Sequence, residues 1–334
     1  MRYIGAQNGE IGVFEKPIPK IKDNYLLIKT MYSAISPGTE LTMAGNSEED
    51  IVQLGYSASG KVMEVGKGAE GFYEGQYVAC YGAPYVSHSE YLLVPKTLCT
   101  PVPEGVDLKE ASLAGLGAIS IHALRKAQLS FGEVAVVVGL GIFGQLIAQI
   151  GYGAALEVLP LNRSSKRAEL LEEISGIKCY TQEEMLEADL LRLTVGRGAD
   201  GVFLCTGGDS EYLTNKSLQW LRDKGKSIIV GDIQPKYDRE LMFGKEIDIM
   251  ISRAGGPGRY DPSYEREAID YPYGQVRWTE GRNVKEYIRL LSTKRISVDK
   301  YVGYSIGLDN FKEAYTILGS SGGEILTGII CYSN

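Results

Sequence analysis

The sequence predicts an α/β protein in which a doubly wound parallel sheet is inserted into a split, β-rich domain. Three observations predict it. A glycine turn sits between a buried strand and a helix at Val134–Gly144, strands and helices alternate from there to about residue 251, and short strands with turn signals fill Asn24 to about Pro95.

Val134 to Val138 is a continuous apolar, β-branched run, as expected of a strand buried on both faces of a parallel sheet. It runs into Gly139, Gly141 and Gly144, a GxGxxG turn that opens a helix through Ile142 and Phe143. In such a turn Gly139 permits the tight bend and Gly141 lets a pyrophosphate approach the backbone. Gly144 brings helix and strand close, and the free N–H groups of the helix start attract the anion. The expected ligand is a dinucleotide.

The second strand, Leu156 to Leu161, ends where an acidic residue normally bonds both ribose hydroxyls of NAD. Asn162 stands there, followed by Arg163, Ser164, Ser165, Lys166 and Arg167. A carboxylate would repel a 2′-phosphate, whereas arginine, hydroxyls and a second cation suit one. The expected cofactor is therefore NADP(H). Ser164 or Ser165 could equally cap the helix that continues from Lys166, and the two roles are compatible.

A chain of 334 residues, 44% hydrophobic and 23% charged, can bury the cores of two domains. Its 35 Lys and Arg against 42 Asp and Glu leave a net charge of -7, with no basic stripe, so nucleic acid is not an expected partner. Neither a membrane span nor a signal peptide is legible, and a soluble cytoplasmic protein is the default expectation. Cys80, Cys99, Cys179, Cys205 and Cys331 are scattered without a CxxC pair, and His88 and His122 lie far apart. That pattern offers neither a disulfide framework nor a structural zinc site, so no metal is expected.

Taken in order, NYLLIKTMYSAIS, SASGKVMEVGKG, GQYVACYG and SEYLLVP read as strands of a compact, partly open barrel. GAISIHALRK reads as a helix, with His122 packed in it. A charged helix is expected near Thr181 to Leu190, then the strand GADGVFLC, then an amphipathic helix closed by Lys224 and Gly225. Strands at Ser227 to Val230 and Ile247 to Ile251 follow, helices at Asn283 to Leu291 and Leu308 to Leu318, and a last strand at Ile325 to Ile330. Ligands of such sheets bind at the carboxyl ends of the strands, which nominates Gly139, Asn162, Thr206, Gly231 and Ser252. The last strand has no slot in the α/β sheet, so the β-rich domain is expected to be split, with an active site in the cleft between the domains.

The order of elements and these motifs resemble the medium-chain dehydrogenase/reductase superfamily, in which a GroES-like catalytic domain is split around a Rossmann domain. Mapped onto this chain, the resemblance implies a catalytic domain of residues 1–117 and 283–334 and an NADP-binding domain of residues 118–282. More narrowly, LGYSASGKVMEVG, ACYGAPYVSHSEYLLVP, GLGAISIHAL and GPGRYDPSYEREAIDYPYGQVRWTEGRN are similar to the dehydrogenase half of bi-domain oxidoreductases. There a sugar-dehydrogenase-like half follows; no such half follows in this sequence. A homodimer is what the resemblance implies.

Zinc-dependent members of the superfamily carry Cys-Gly-Ser/Thr-Asp/Glu, Gly-His-Glu and a later Cys or Glu ligand. Here these positions read Pro37-Gly38-Thr39-Glu40, Gly55-Tyr56-Ser57 and the apolar stretch ASLAGLGAIS, which implies a zinc-independent member. Thr39 matches the family's proton-relay hydroxyl, Tyr56 stands where a metal ligand would be, and Arg253 matches a position near nicotinamide and substrate. With no Lewis acid, such donors would have to support the substrate oxygen.

The stretch from Gly255 to Arg282 interleaves aromatics with Arg and Asp. Its Arg259, Tyr260, Tyr264, Tyr271 and Arg277 are candidate contacts for a polyhydroxylated or anionic small-molecule substrate, though such a segment also suits a rigid lid or a dimer contact. His88 is expected on a solvent-exposed loop. The reading is an NADP(H)-dependent oxidoreductase moving a hydride between nicotinamide and a carbonyl or secondary alcohol of a polar substrate. Two rivals stand beside it: an enone or quinone reductase, and a non-catalytic NADPH-binding subunit that needs a partner.

Overall fold

The structure, a computed structural model, describes residues 1–320 and 325–332, and the chain divides into two compact units. One comprises Ile119–Ala254 and Arg295–Ser297, the other Met1–Ala118, Gly255–Lys294 and Val298–Asn334. The division falls at 254/255 and not at 282/283, so the Gly255 to Arg282 stretch belongs with the β-rich unit. The reason is visible in its bonds: Thr97 Oγ1 donates to Tyr264 O at 2.9 Å, and Tyr25 Oη to Arg266 O at 2.6 Å.

The unit around Ile119–Ala254 is built on a parallel five-stranded sheet in the order Glu157–Leu161, Val134–Val138, Ala199–Leu204, Leu221–Ile229, Asp248–Ile251. Tyr180 adds a single parallel bridge to Leu161. Alternate residues of the central strand explain its continuous apolar run. Val134, Val136 and Val138 pack on one face with Leu186, Leu190 and Leu218, while Ala135 and Val137 pack on the other with Ile147, Ala148 and Leu171. Strand order reverses between Val134–Val138 and Ala199–Leu204, the switch point at which such sheets receive ligands.

The amphipathic helix expected to close at Lys224 and Gly225 ends at Trp220. Leu221 already begins a strand that bulges against Ala199–Leu204, with Lys224 at φ +57°. Arg222 fixes that bulge by donating to Asp200 at 2.5 Å.

In the other unit, strands run in the order Ser305–Gly307, Ile329–Cys331, Tyr25–Ala34, Ser57–Val65, Tyr77–Tyr81, Cys99–Pro101, with Tyr91–Pro95 also on Tyr25–Ala34. Ile329 pairs with Ala34, which gives the last strand of the chain its place. A separate three-stranded sheet holds Glu10–Glu15, Arg2–Gln7 and Val52–Gln53. Within the strand-rich region lies a helix the sequence pattern did not suggest, Pro37–Gly45, which starts with proline at a position where the missing N–H costs nothing. Among the described residues no helix is long and apolar enough to cross a membrane.

Candidate functional site

The glycine turn shows why each glycine is there. Gly139 has φ +91°, a conformation a side chain would strain. A Cβ on Gly144 would lie 1.9 Å from Gly139 O, so the helix Ile142–Gly153 meets the strand only through a bare backbone. Gly141 is the N-cap of that helix, and the space beside it is open except for Arg167 Nη1, 3.9 Å from where its Cβ would be. Ile142 and Phe143 form the first helical turn, where backbone N–H groups lack intrahelical acceptors.

Asn162, in the place of the acidic residue, braces this turn: its Oδ1 accepts from Leu140 N at 3.0 Å and its Nδ2 donates to Ser164 O at 3.2 Å. Ser164 holds the N-cap position of the helix Ser165–Ser175 without making a side-chain cap bond, so the capping role considered for it is not the one its hydroxyl plays. Arg163 is exposed. Arg167 is half-buried against the turn, and that burial pulls its pKa down. Two guanidinium groups, one buttressing the glycine turn and one open to solvent, thus flank the end of the second strand.

At the ends of the next strands a Cβ on Gly231 would come within 2.1 Å of Thr206 O, which fixes a close approach of the two loops. Ser252 is buried and its hydroxyl has no hydrogen-bond partner. Arg253, next to it, is exposed.

In the β-rich unit Thr39 lies exposed in the first turn of Pro37–Gly45, and Ser36 Oγ reaches its Oγ1 at 3.4 Å. Tyr56 packs edge-on against Tyr81, with ring centroids 5.9 Å apart. Its hydroxyl is sealed from solvent and meets no partner at full hydrogen-bond geometry, with the Ser36 and Thr39 hydroxyls nearby. Burial drives the Tyr56 pKa upward; the neighbouring Ser36 and Thr39 hydroxyls oppose the shift and the Glu40 carboxylate adds to it. The phenol therefore keeps its proton and can act as a donor.

The positions where zinc-dependent members of the resembled superfamily carry ligands hold other groups. Pro37 has no donor atom, Ser57 Oγ donates to Ser112 O and accepts from Gly115 N, and Leu113, Ala114 and Leu116 are buried and apolar. Among the described residues no three His, Cys, Asp or Glu side chains form a metal-holding group. Cys80 and Cys99, scattered in sequence, face each other across adjacent strands as buried free thiols, and burial pushes the Cys80 thiol up to about 12.

Two polar features, at His88 and Glu280, were not legible as such, and a third, His122, lies packed in its helix as expected. His88 is fully buried instead of standing on an exposed loop; its Nε2 lies 2.9 Å from Glu40 Oε2, an equally buried carboxylate. Glu280 is buried with neither oxygen hydrogen-bonded, and burial, then the charge of Glu265, push it up to about 9 against the pull of Arg259. His122 sits half-buried in the helix Ala114–Ala127, and burial, helped by Lys126 and Arg125, lowers it to about 4, which leaves it neutral. The only advance signal for the first was the acidic residue directly after Thr39.

The five residues nominated for substrate are corrected in part. Tyr264 is core, 2% exposed, and donates to Thr279 Oγ1 at 2.8 Å. Arg259 is half-buried in an ion pair with Glu265 and stacks over Tyr260 at 4.1 Å. The Tyr271 hydroxyl bonds Asp261, and Arg277 lies between Tyr273 and Trp278 at 4.3 and 3.6 Å. Arg277 remains exposed, as does Tyr260, at 52% exposure with a backbone φ of +67°. These partners are local, and a loop rich in Tyr, Arg and Asp satisfies itself before it meets a ligand.

No family model matches the chain. The sorbitol dehydrogenase of Halalkalibacterium halodurans is 27% identical over 76% of this chain and 84% of its own length. For the L-galactonate-5-dehydrogenase of Escherichia coli the figures are 27%, 73% and 80%, and for a quinone oxidoreductase of Schizosaccharomyces pombe 27%, 68% and 69%. Among solved structures, 2R,3R-butanediol dehydrogenase of Bacillus subtilis superposes with a TM-score of 0.79 at 19% identity, over 100% of this chain and 99% of its own. A dehydrogenase of Sinorhizobium meliloti bound to NADP gives 0.79 at 17% identity, over 99% and 98%. An alcohol dehydrogenase of Escherichia coli complexed with NADH gives 0.80 at 16% identity, over 99% of each chain. The chain thus has the α/β fold of the medium-chain alcohol dehydrogenases, a GroES-like unit and a Rossmann unit, and the relatives it resembles in sequence include sorbitol and galactonate dehydrogenases and a quinone oxidoreductase.

Proposed function

We propose that the protein is an NADP(H)-dependent, zinc-independent oxidoreductase that moves a hydride between nicotinamide and a carbonyl or secondary alcohol of a polar, sugar-like or natural-product substrate. One observation carries the reading: the buried Tyr56 hydroxyl, unpartnered and held as a donor at the position of a lost metal ligand. An unsatisfied buried hydroxyl costs about 1–3 kcal/mol, which a substrate oxygen accepting from it would recover. NADP(H), when bound, supplies or accepts the hydride.

The chain's own residues then do the rest. The glycine turn and Asn162 hold the pyrophosphate loop in shape, and Arg163 and Arg167 supply positive charge for a 2′-phosphate, in place of a carboxylate that would repel it. Tyr56 donates to the substrate oxygen, and Thr39, hydrogen-bonded to Ser36, passes the alcohol proton on. Arg253 adds a cation at the end of the Asp248–Ile251 strand, and Ser252 adds a buried hydroxyl. Dehydrogenases of sorbitol and galactonate among the relatives support a polar alcohol as substrate. We place the protein in the cytoplasm as a homodimer.

A Thr39→Ala, Tyr56→Phe double variant should lose about 10²-fold or more in kcat at unchanged NADPH affinity. Activity within a few-fold of wild type sinks the mechanism. The quinone oxidoreductase among the relatives keeps enone or quinone reduction as a second reading. NADPH oxidation by quinones but by no keto-sugar would decide for it, and NADPH binding without any turnover would point to a non-catalytic subunit.

A further inference from the structure

Next to Thr39 and Tyr56 lie two ionisable side chains that the mechanism above does not use. Glu40 and His88 are both fully buried. Glu40 Oε2 accepts from His88 Nε2 at 2.9 Å and from Tyr315 Oη, and Oε1 accepts from Ser36 N at 2.7 Å. On the other side of the imidazole, Ser33 Oγ lies 2.7 Å from Nδ1, and Tyr332 Oη lies 2.9 Å from Ser33 Oγ. A carboxylate at Nε2 calls for a hydrogen there, and Ser33 and Tyr332 continue the hydrogen-bonded chain from Nδ1. Every polar atom of the pair has a partner.

The imidazole also presses on backbone. A Cβ on Gly55 would lie 2.8 Å from its ring carbons, and His88 N donates to Leu54 O at 2.8 Å. Gly55, at φ +89°, is the residue before Tyr56. One edge of the ring therefore holds the Ser36–Glu40 stretch that carries Thr39, and the ring packs on the residue that precedes Tyr56. Few other geometries would bring both segments against one rigid, buried group.

We infer that His88 and Glu40 form a positioning pair that sets the Thr39 and Tyr56 hydroxyls relative to each other. The inference rests on the assignment of those two hydroxyls to the substrate oxygen. The physical ground is orientation: donors not tethered to a metal depend on their supporting shell, and a misplacement of about 1 Å can cost about 10²-fold in rate. Glu40 gains its rigidity from three donors on three separate segments: Ser36, His88 and Tyr315. Removal of His88 would leave a buried carboxylate short of one partner and free to shift the helix start.

Two measurements on the full-length protein test this. In the first, sorbitol and galactitol with NADP⁺, and fructose with NADPH, serve as probes. His88→Leu should lower kcat by about 10²-fold with KM within about threefold, whereas His88→Gln, whose amide N–H can still reach Glu40, should stay within about fivefold of wild type. Equal losses in both variants, or a His88→Leu enzyme within twofold of wild type, overturn the inference. Should His88→Leu not fold, Ser33→Ala, which loosens the imidazole without touching Glu40, takes its place. A several-fold fall in kcat is then expected, and an unchanged kcat counts against the pair.

The second measurement needs no substrate. The chain has two histidines, so ¹⁵N-labelled imidazoles give two spin systems, with His122 as the internal control. Tyr56→Phe and Thr39→Ala should each displace the His88 ring resonances and leave those of His122 in place. Unmoved His88 resonances overturn the inference. If the Thr39→Ala, Tyr56→Phe double variant keeps turnover within a few-fold of wild type while His88 still responds, the functional reading fails and the positioning contact stands.

Discussion

The glycine turn at Gly139–Gly144 and the aromatic stretch at Gly255–Arg282 both suggested ligand binding, and they come out differently. In the turn, the groups that would bind are backbone N–H groups at a helix start, which the fold itself leaves without acceptors. In the aromatic stretch the groups are side chains, and the fold uses them on one another: Arg259 on Glu265, Tyr264 on Thr279, Tyr271 on Asp261. A binding function written in backbone geometry is harder for neighbours to absorb, although Asn162 Oδ1 takes the Leu140 N–H of this turn. One written in side-chain chemistry survives only where tertiary packing withholds partners, as it does at Tyr56.

The comparison can be broken at either region. The largest effect is expected for Gly144→Val, because a Cβ 1.9 Å from Gly139 O cannot be relieved by rotamer changes. Its outcome should be loss of cooperative unfolding of the Rossmann unit, and a variant that melts as wild type does would mean that the turn is looser than drawn. Next comes Tyr264→Ala, expected to cost about 3–5 kcal/mol in chemical denaturation. Tyr264→Phe should leave kcat/KM for any turned-over substrate unchanged, and a selective loss of kcat/KM would restore Tyr264 to the substrate site.

Arg163→Ala should weaken NADPH binding by about 10- to 100-fold, leave NADH binding within about twofold and not alter stability, since its guanidinium is exposed. Calorimetric titration with both cofactors reads this directly, and equal losses for both would remove the case for the phosphorylated cofactor.

The effect that depends on pH concerns Glu280. Its folded pKa of about 9 lies above the ordinary 4.5, so between those values the folded state keeps a proton that the unfolded state has lost. Stability then falls as pH rises through that window. Glu280→Gln removes the dependence, so in chemical denaturation the variant should gain steadily on wild type between pH 5 and pH 9, by up to about 1.4 kcal/mol for each pH unit. A gap that is constant with pH would show that Glu280 is ionised in the folded state.

Much of the Rossmann unit was legible because its signals are local. Val134 to Val138 is apolar at every position since both faces of its strand are covered, and the spacing of Gly139, Gly141 and Gly144 reflects clashes within a dozen residues. The strand Leu221–Ile229 was misplaced because Lys224 and Gly225 look like a helix end, and only Asp200 across the sheet shows that they form a bulge. His88 was misread for the same reason: a serine-rich context looks exposed until Glu40, 48 positions earlier, is brought to its ring.

The sequence by itself therefore determined most of the order of elements, the glycine turn with its basic flank, and the presence of Pro37 and Tyr56 in Pro37-Gly38-Thr39-Glu40 and Gly55-Tyr56-Ser57. Each depends on residue type and short spacing alone. Only the tertiary structure decided which charged and hydroxylated side chains remain open and which are paired. Those partners come from segments far apart in the chain, and burial makes an unpaired group costly, so long-range packing settles the pairing.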